Sequence, residues 1–394
     1  MDALILSCGT GGGHNSAAKA IREECIRRGW SAVLLNPYTL CGANMAGMID
    51  SIYVRLVQRF PEGFGFIYQL GELYRRLPFH SPVYFLNGKA ANCMNEYLKD
   101  KKFDIVITTH LFPGEIMARL KRSCADIPPT VYVATDYTCI PFTEDTDCDA
   151  YVIPAKELIK DFVKRGIPEA CIYPLGIPVQ KSFRKPITRS KAKAILGLEK
   201  DIDYLLVSGG SIGAGKLSSI VKKLQALCGS KERLIVICGS NEKLYKKLQK
   251  EYGNDITLLQ STERMAEYVR ASKVYFTKPG GLSSTEAAIM GTALVHLPPI
   301  PGCETKNIKF FTEHGMSLRL RDSKNEVRQT ILFCGDAKKR NNMLNQQKKV
   351  LCQNAAEAIC DLAQHMVISS NKVRKETSYG EEDKTIFIGN NCRG

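Results

Sequence analysis

The 394-residue chain has no uninterrupted apolar run approaching the ~20 residues that cross a bilayer, so it reads as soluble or peripheral. It has only six histidines, all dispersed, and no paired Cys-x-x-Cys clusters at zinc spacing. That excludes a structural metal of the zinc-ribbon kind. Cysteine itself is not scarce. There are 15, an odd number, scattered and often inside apolar segments, as at Cys8, Cys228 and Cys238. With no signal peptide expected ahead of them, they read as reduced cytosolic thiols rather than a disulfide framework. Acidic residues are in deficit, 40 against 55 Lys and Arg, for a net charge of +15. Such an excess favours an anionic partner: nucleic acid, an acidic membrane surface or a phosphate-bearing ligand. No nucleic-acid recognition module is visible, so nucleic acid is set aside.

What is present is a folded chain, 44% apolar and 24% charged, long enough for two domains. Short apolar runs alternate with helical patterns, the mark of an α/β fold with parallel sheets. The first half predicts strands at Ala3–Leu6, Ala32–Leu35, Ile105–Thr108, Thr130–Ala134 and Ala150–Ile153. The second predicts Tyr204–Ser208, Arg233–Cys238, Ile256–Leu259, Val274–Phe276 and Ala293–His296. A proline-rich and basic stretch over 173–198 separates them as a linker. The expected units are a first Rossmann-like domain over 1–180 and a second over 181–340. A terminal helix over 341–368 and a polar, poorly ordered tail over 369–394 follow. The stretch 45–97 breaks the alternation. It is helical, aromatic and basic, with Arg55, Arg59, Arg75 and Arg76 set among phenylalanines and tyrosines. It reads either as an insertion packing on its own domain or as an interfacial element against acidic lipid.

Three glycine turns carry the chemistry. "MDALILSCGTGGGHNSAAKAI" runs from a strand through Gly9, Gly11, Gly12 and Gly13 into His14 and a helix over 15–28. Ala17, Ala18, Ile21 and Ile26 are available to pack that helix. Its unpaired N–H groups and positive dipole end suit an anion. "SGGSIGAGK" places Gly209, Gly210, Ser211 and Gly213 before a second helix expected near Ala214. Gly210, Gly215 and Lys216 satisfy the start of a P-loop, but Leu217 stands where that loop needs a hydroxyl for magnesium. What remains is an anion cradle or a turn needing positive φ. "TKPGGLSSTEAAIMGTALVHLPPIPGCETKN" leads through Gly280 and Gly281 into a third helix. Ser283 and Ser284 are candidate caps there. Glu286 reads either as a first-turn carboxylate complementing the dipole or as a ribose ligand. Pro298 to Asn307 reads as a rigid polar loop carrying Glu304, Thr305 and Asn307 toward a sugar.

Together with "VYVATDYTCIPF", these motifs resemble the glycosyltransferases that include monogalactosyldiacylglycerol synthases and bacterial processive diacylglycerol glucosyltransferases. More distantly they resemble the peptidoglycan GlcNAc transferase. The resemblance covers roughly residues 1 to 365. It implies a GT-B fold, two Rossmann-like domains facing a cleft, with the donor bound by the second and the acceptor by the first. By that resemblance Gly209, Gly210 and Ser211 line the diphosphate, and Gly280 and Gly281 let the backbone approach the nucleotide. Glu286 binds ribose, Glu304 and Asn307 reach the donor sugar, and the final helix crosses back to the first domain. Gly11, Gly12 and Gly13 then form the acceptor-side wall.

His14 becomes the candidate general base, since an imidazole near its ordinary pKa of ~6.5 takes a proton from an attacking hydroxyl. By itself it reads equally as a helix-terminal residue bonding the backbone. Asp136 either orients His14, holds the acceptor hydroxyl, or merely caps a strand end. The expected reaction is inverting transfer of a hexose from UDP-glucose or UDP-galactose, with UDP-GlcNAc also open. The acceptor is diacylglycerol at the inner face of the cell membrane. No metal or other cofactor is demanded, because helix N-termini and backbone donors stabilise the leaving diphosphate. Ile140, Pro141 and Phe142 stand where family members often carry histidine and tryptophan, which leaves the acceptor open. Alternatives are a polyprenyl-linked or soluble acceptor, a nucleotide-sugar epimerase, and a non-catalytic UDP-sugar-binding protein. The Asp145–Asp147 "DTD" matches a metal motif of another glycosyltransferase fold and reads as solvated surface.

Overall fold

The computed structural model describes residues 1–9, 12–42, 45–47, 87–123, 126–213, 216–321 and 323–371. Gly11, Gly215, the arginines at 55, 59, 75 and 76, residues 48–86 of the 45–97 stretch and the tail beyond 371 lie outside them.

Continuous apolar runs become strands, most of them buried on both faces. In the first domain these are β1 (Asp2–Leu6), β2 (Ser31–Leu35), β3 (Ile105–Thr108), β4 (Thr130–Val133), β5 (Ala150–Val152) and β6 (Ile172–Tyr173). They form one sheet in the order β2-β1-β3-β4-β5-β6, every pair parallel. The second domain supplies β7 (Asp203–Ser208), β8 (Glu232–Ile237), β9 (Thr257–Leu259), β10 (Ser272–Thr277), β11 (Ala293–His296) and β12 (Leu318–Arg319). Their order is β12-β11-β10-β7-β8-β9, again all parallel. Ten of the twelve strands fall on predicted runs to within two residues at either end. The two-residue β6 and β12 do not, being too short to leave a pattern.

The chain order reverses direction at β1/β3 in the first sheet and at β7/β10 in the second. In open parallel sheets a ligand crevice lies outside the carboxyl ends of the strands at such reversals. The linker folds into helices Lys181–Arg184 and Arg189–Leu196. The last helix, over 355–371, returns to the first sheet, where Ile359, Cys360, Ala363 and Val367 pack with Ile5, Ile21 and Cys25. Arg28 ties it there through Asp361 at 2.6 Å.

Candidate active site

A cleft of about 580 Å³ opens where the carboxyl ends of the two sheets meet. Segments following β1, β4, β7, β8, β9, β10 and β11 line it, including Gly12–His14, Thr135–Asp136, Gly210–Ile212, Lys278 and Gly280–Ser283.

His14 is the third residue of the helix Gly12–Arg27, which begins directly beyond β1. Its Nδ1 donates to the Thr109 carbonyl at 2.8 Å, just past the end of β3, and Thr135 Oγ1 lies 2.9 Å from the same nitrogen. A carbonyl only accepts, so the proton sits on Nδ1 and the lone pair on Nε2. Nε2 has no hydrogen-bond partner among the described residues. Thr109 closes the clamp by donating its hydroxyl to the His14 carbonyl at 3.0 Å. Burial lowers the His14 pKa; the Asp136 charge and the Thr109 bond work against that, and the Lys278 charge adds to it. The imidazole is therefore neutral at pH 7 and able to accept a proton.

Lys278 follows β10 into the cleft and donates to Glu304 Oε1 at 2.9 Å. Glu304 Oε2 in turn accepts the Ile300 N–H at 2.9 Å. Burial works against the ammonium, but the Glu304 carboxylate prevails and raises its pKa. The result is a fixed positive charge beside the Gly210 turn. Glu286 lies deeper in the same wall, where burial alone pushes its carboxyl up to about 8.

The domains touch along a seam at the cleft's edge. The Gly12 N–H donates to Ser211 Oγ at 3.1 Å. Asn307 Nδ2 donates to Asp136 Oδ1 at 2.7 Å and to the Pro279 carbonyl at 3.0 Å, while its Oδ1 accepts the Tyr137 N–H at 2.7 Å. Tyr137 OH reaches Thr285 Oγ1 at 2.8 Å, and Thr285 donates to the Gly281 carbonyl. A Cβ on Gly281 would lie 1.9 Å from the Thr135 carbonyl oxygen. Only glycine lets the two backbones approach so closely.

Residues 14–179 match the family described as monogalactosyldiacylglycerol (MGDG) synthase, and residues 204–365 match the glycosyltransferase family 28 C-terminal domain. The chain is a glycosyltransferase of GT-B fold whose first domain matches the MGDG synthases and whose second matches family 28. It is 27% identical over 385 residues to the processive diacylglycerol beta-glucosyltransferase of Bacillus licheniformis, covering 94% of this chain and 96% of that one. The enzyme of the same name from Bacillus subtilis is 24% identical, covering 91% and 93%. Among solved structures, Acinetobacter baumannii MurG superposes with a TM-score of 0.60 at 16% identity over 92% of this chain and 99% of its own. Staphylococcus aureus MnaA in a UDP co-structure also gives 0.60, at 12% identity over 91% and 95%. These likenesses share the two-domain fold.

Within this glycosyltransferase the structure gathers His14, Asp136, Gly12, Gly13, Gly210, Ser211, Gly280, Gly281, Ser283, Glu286 and Glu304 around one cleft. Several sequence expectations change. Asn307 is fully buried in the seam and Gly209 and Gly213 do not line the cleft. Gly213, at φ +63, packs its Cα against the Cys238 carbonyl, so its glycine serves the turn. Gly281 accommodates Thr135 of the other domain. Asp136 is held by Asn307 and does not hydrogen-bond His14, whose orientation comes from Thr109 and Thr135. Residues Cys303–Glu313 form a helix, so Glu304 and Asn307 sit on its first turns rather than in a loop, and Thr305 is exposed. The helix Gly281–Ile289 has no side-chain cap: Ser283 and Ser284 point elsewhere, Ser284 to His296 at 2.8 Å. Glu286 lies beyond its first turn, which removes the dipole role. The second helix starts at Leu217, and Ile26 is 51% exposed. Asp145 lies within the 3-10 helix Thr143–Thr146 and Asp147 caps its end; Thr143 and Thr146, not either carboxylate, are buried there. Lys278, Thr109 and Thr135 were not singled out by sequence; for Lys278 the available signal was a lone cation directly after an apolar strand and before Pro-Gly-Gly.

Proposed function

We propose that this glycosyltransferase moves a hexose from a UDP-sugar to a hydroxyl of diacylglycerol with inversion, His14 acting as general base. The observation that carries the reading is the clamped imidazole: Nδ1–H is committed to Thr109, so the free Nε2 lone pair is the group left for an incoming hydroxyl. As that hydroxyl attacks the anomeric carbon, its proton passes to Nε2 and the bond to the diphosphate oxygen breaks. Asp136 offsets the positive charge that develops on His14. Charge on departing UDP is met by Lys278 and by the N-termini of the helices starting at Gly12 and Gly281. Glu286 holds the ribose hydroxyls, and the reaction runs without metal.

Diacylglycerol as acceptor is supported by the MGDG synthase match over residues 14–179 and by the activity for which the Bacillus relatives are named. Glucose is the donor sugar those names favour, with galactose and GlcNAc as the alternatives. An enzyme using a lipid substrate works at a membrane surface. No described helix is long and apolar enough to cross a bilayer, which suits peripheral attachment to an anionic inner membrane face. The test is a screen of radiolabelled UDP-glucose, UDP-galactose and UDP-GlcNAc on diacylglycerol, a polyprenyl phosphate and soluble sugars, with and without EDTA. Labelled glycolipid from UDP-glucose and diacylglycerol, undiminished by EDTA, is the expected result. Label confined to another acceptor, or UDP binding with no turnover, would overturn the assignment.

A further inference from the structure

Two cysteines remote from the reaction lie in sulfur contact. Cys41 ends the 3-10 helix Pro37–Cys41, and Cys93 lies on the helix Gly88–Asp100. The Cys41 thiol donates to Cys93 Sγ at 2.8 Å. The contact sits on a rigid frame: buried Tyr38 donates its hydroxyl to Asn87 Oδ1 at 2.6 Å, and Asn87 Nδ2 donates to Glu115 at 3.3 Å. Both sulfurs belong to partly exposed residues. A second close pair, Cys25 and Cys360 at 3.7 Å, is fully buried and out of reach of a dissolved oxidant.

The geometry points to Cys41 and Cys93 as a reversible dithiol–disulfide site that exchanges with low-molecular-weight disulfides. Closing the bond requires the sulfurs to approach by only about 0.8 Å, since a disulfide spans ~2.0 Å. The order of attack follows from the hydrogen bond. Burial and the neighbouring Cys93 sulfur push the Cys41 thiol up to about 12, so Cys41 keeps its proton, with Cys93 Sγ at 2.8 Å and the Lys89 carbonyl at 3.7 Å as its acceptors. A thiolate is the attacking form in such an exchange, and Cys93, whose sulfur accepts this hydrogen bond, is assigned the first attack. Cys93 attacks the external disulfide, forming a mixed disulfide and releasing one thiol. Cys41 then loses its proton to solvent and attacks Cys93 Sγ, expelling the second thiol. Two protein thiols and one external disulfide become one protein disulfide and two external thiols. The new bond joins the two ends of residues 42–92, the stretch that contains the aromatic and basic motif. None of these atoms belongs to the cleft, so the site stands independently of the transfer reaction.

The test uses the purified full-length protein equilibrated with excess oxidised glutathione. Remaining thiols are blocked with N-ethylmaleimide and peptides are mapped by mass spectrometry with and without dithiothreitol. Expected is a linked Cys41–Cys93 peptide pair, two hydrogen masses lighter than the dithiol and absent after reduction. Cys41→Ser is expected to stop at a glutathione adduct on Cys93. Wild-type protein with both residues alkylated after oxidation, linked elsewhere, or halted at a stable glutathione adduct would overturn the site. An adduct on Cys41 in Cys93→Ser would overturn the order of attack. The wild-type map decides the matter even if a variant folds poorly.

Discussion

His14 has its tautomer chosen by the Thr109 carbonyl, and that choice makes it a base rather than a donor. Replacing it with alanine removes the proton acceptor without touching Lys278 or Glu286. Transfer should fall roughly 10²–10⁴-fold, the usual contribution of general base catalysis, with UDP affinity by calorimetry within about twofold of wild type. Unchanged turnover would remove His14 from the mechanism. The direction of its pKa makes a second, finer statement. Burial holds the imidazole neutral below its ordinary value, so the acidic limb of kcat/KM should lie below ~6.5 in the wild type. Glu286 works with the opposite sign. Its carboxyl sits at about 8 in the fold against an ordinary 4.5, so the folded state binds this proton more tightly than the unfolded chain. The stability it contributes is complete below about 4.5 and is lost as pH rises through about 8. Glu286→Gln abolishes that loss. The variant's Tm should match wild type near pH 4 and exceed it at pH 8.5, as read by thermal melts without ligand; equal Tm at both ends would show the carboxyl is not held neutral.

Among elements, the Thr135–Tyr137 turn after β4 and the Gly281–Ile289 helix act as a pair. Gly281 makes room for Thr135, Thr135 touches His14, and Asn307 grips Asp136 and Tyr137 from the neighbouring helix. A methyl group at 281 forces the turn away by more than an ångström, because backbone at 1.9 Å cannot yield by side-chain rotation. Misplacement on that scale costs about 10²-fold in rate. Gly281→Ala should therefore lower kcat by about that factor while wild-type-like circular dichroism shows that both sheets remain. A Gly281→Ala enzyme with full kcat would show that the seam does not set the position of His14. This relation was not legible in the sequence. The glycines were, and so was their place between strand and helix, because local chemistry dictates both. What Gly281 meets is a carbonyl nearly 150 positions away, fixed only when two domains dock. The same limit hid Asn307, whose amide is consumed by three partners from two segments. It also hid Lys278, because a single cation leaves no periodicity. The strands were legible for the converse reason. A parallel strand buried on both faces writes its identity as an unbroken apolar run, whereas β6 and β12 are two residues each and write nothing.

At the scale of the whole molecule, the proposed reaction brings a water-borne nucleotide and a lipid to one cleft, and net charge bears on both. The excess of 15 positive charges favours UDP-sugar and an anionic surface alike, so charge alone cannot separate them. Arg55, Arg59, Arg75 and Arg76 offer a way to separate them, because the proposed reading gives these four to lipid and gives the nucleotide to Lys278 and the Gly210 turn. If that basic and aromatic stretch meets lipid, each arginine near an anionic surface adds about 1 kcal/mol at low salt. Four removed together would weaken binding by at least tenfold and at most about a thousandfold. Screening sets the second signature: the Debye length shrinks from ~10 Å in 0.1 M salt to ~3 Å in 1 M. Co-sedimentation of the fourfold alanine variant with phosphatidylglycerol vesicles should therefore fall well below wild type in 0.1 M salt and converge with it in 1 M. UDP affinity should be the same for both proteins throughout. Equal sedimentation in 0.1 M salt would take the membrane role away from this stretch and leave it as packing for its own domain. A parallel loss of UDP binding would instead place the arginines beside the nucleotide. Convergence at high salt is the discriminating observation, since a folding defect would persist there while an electrostatic contact would not.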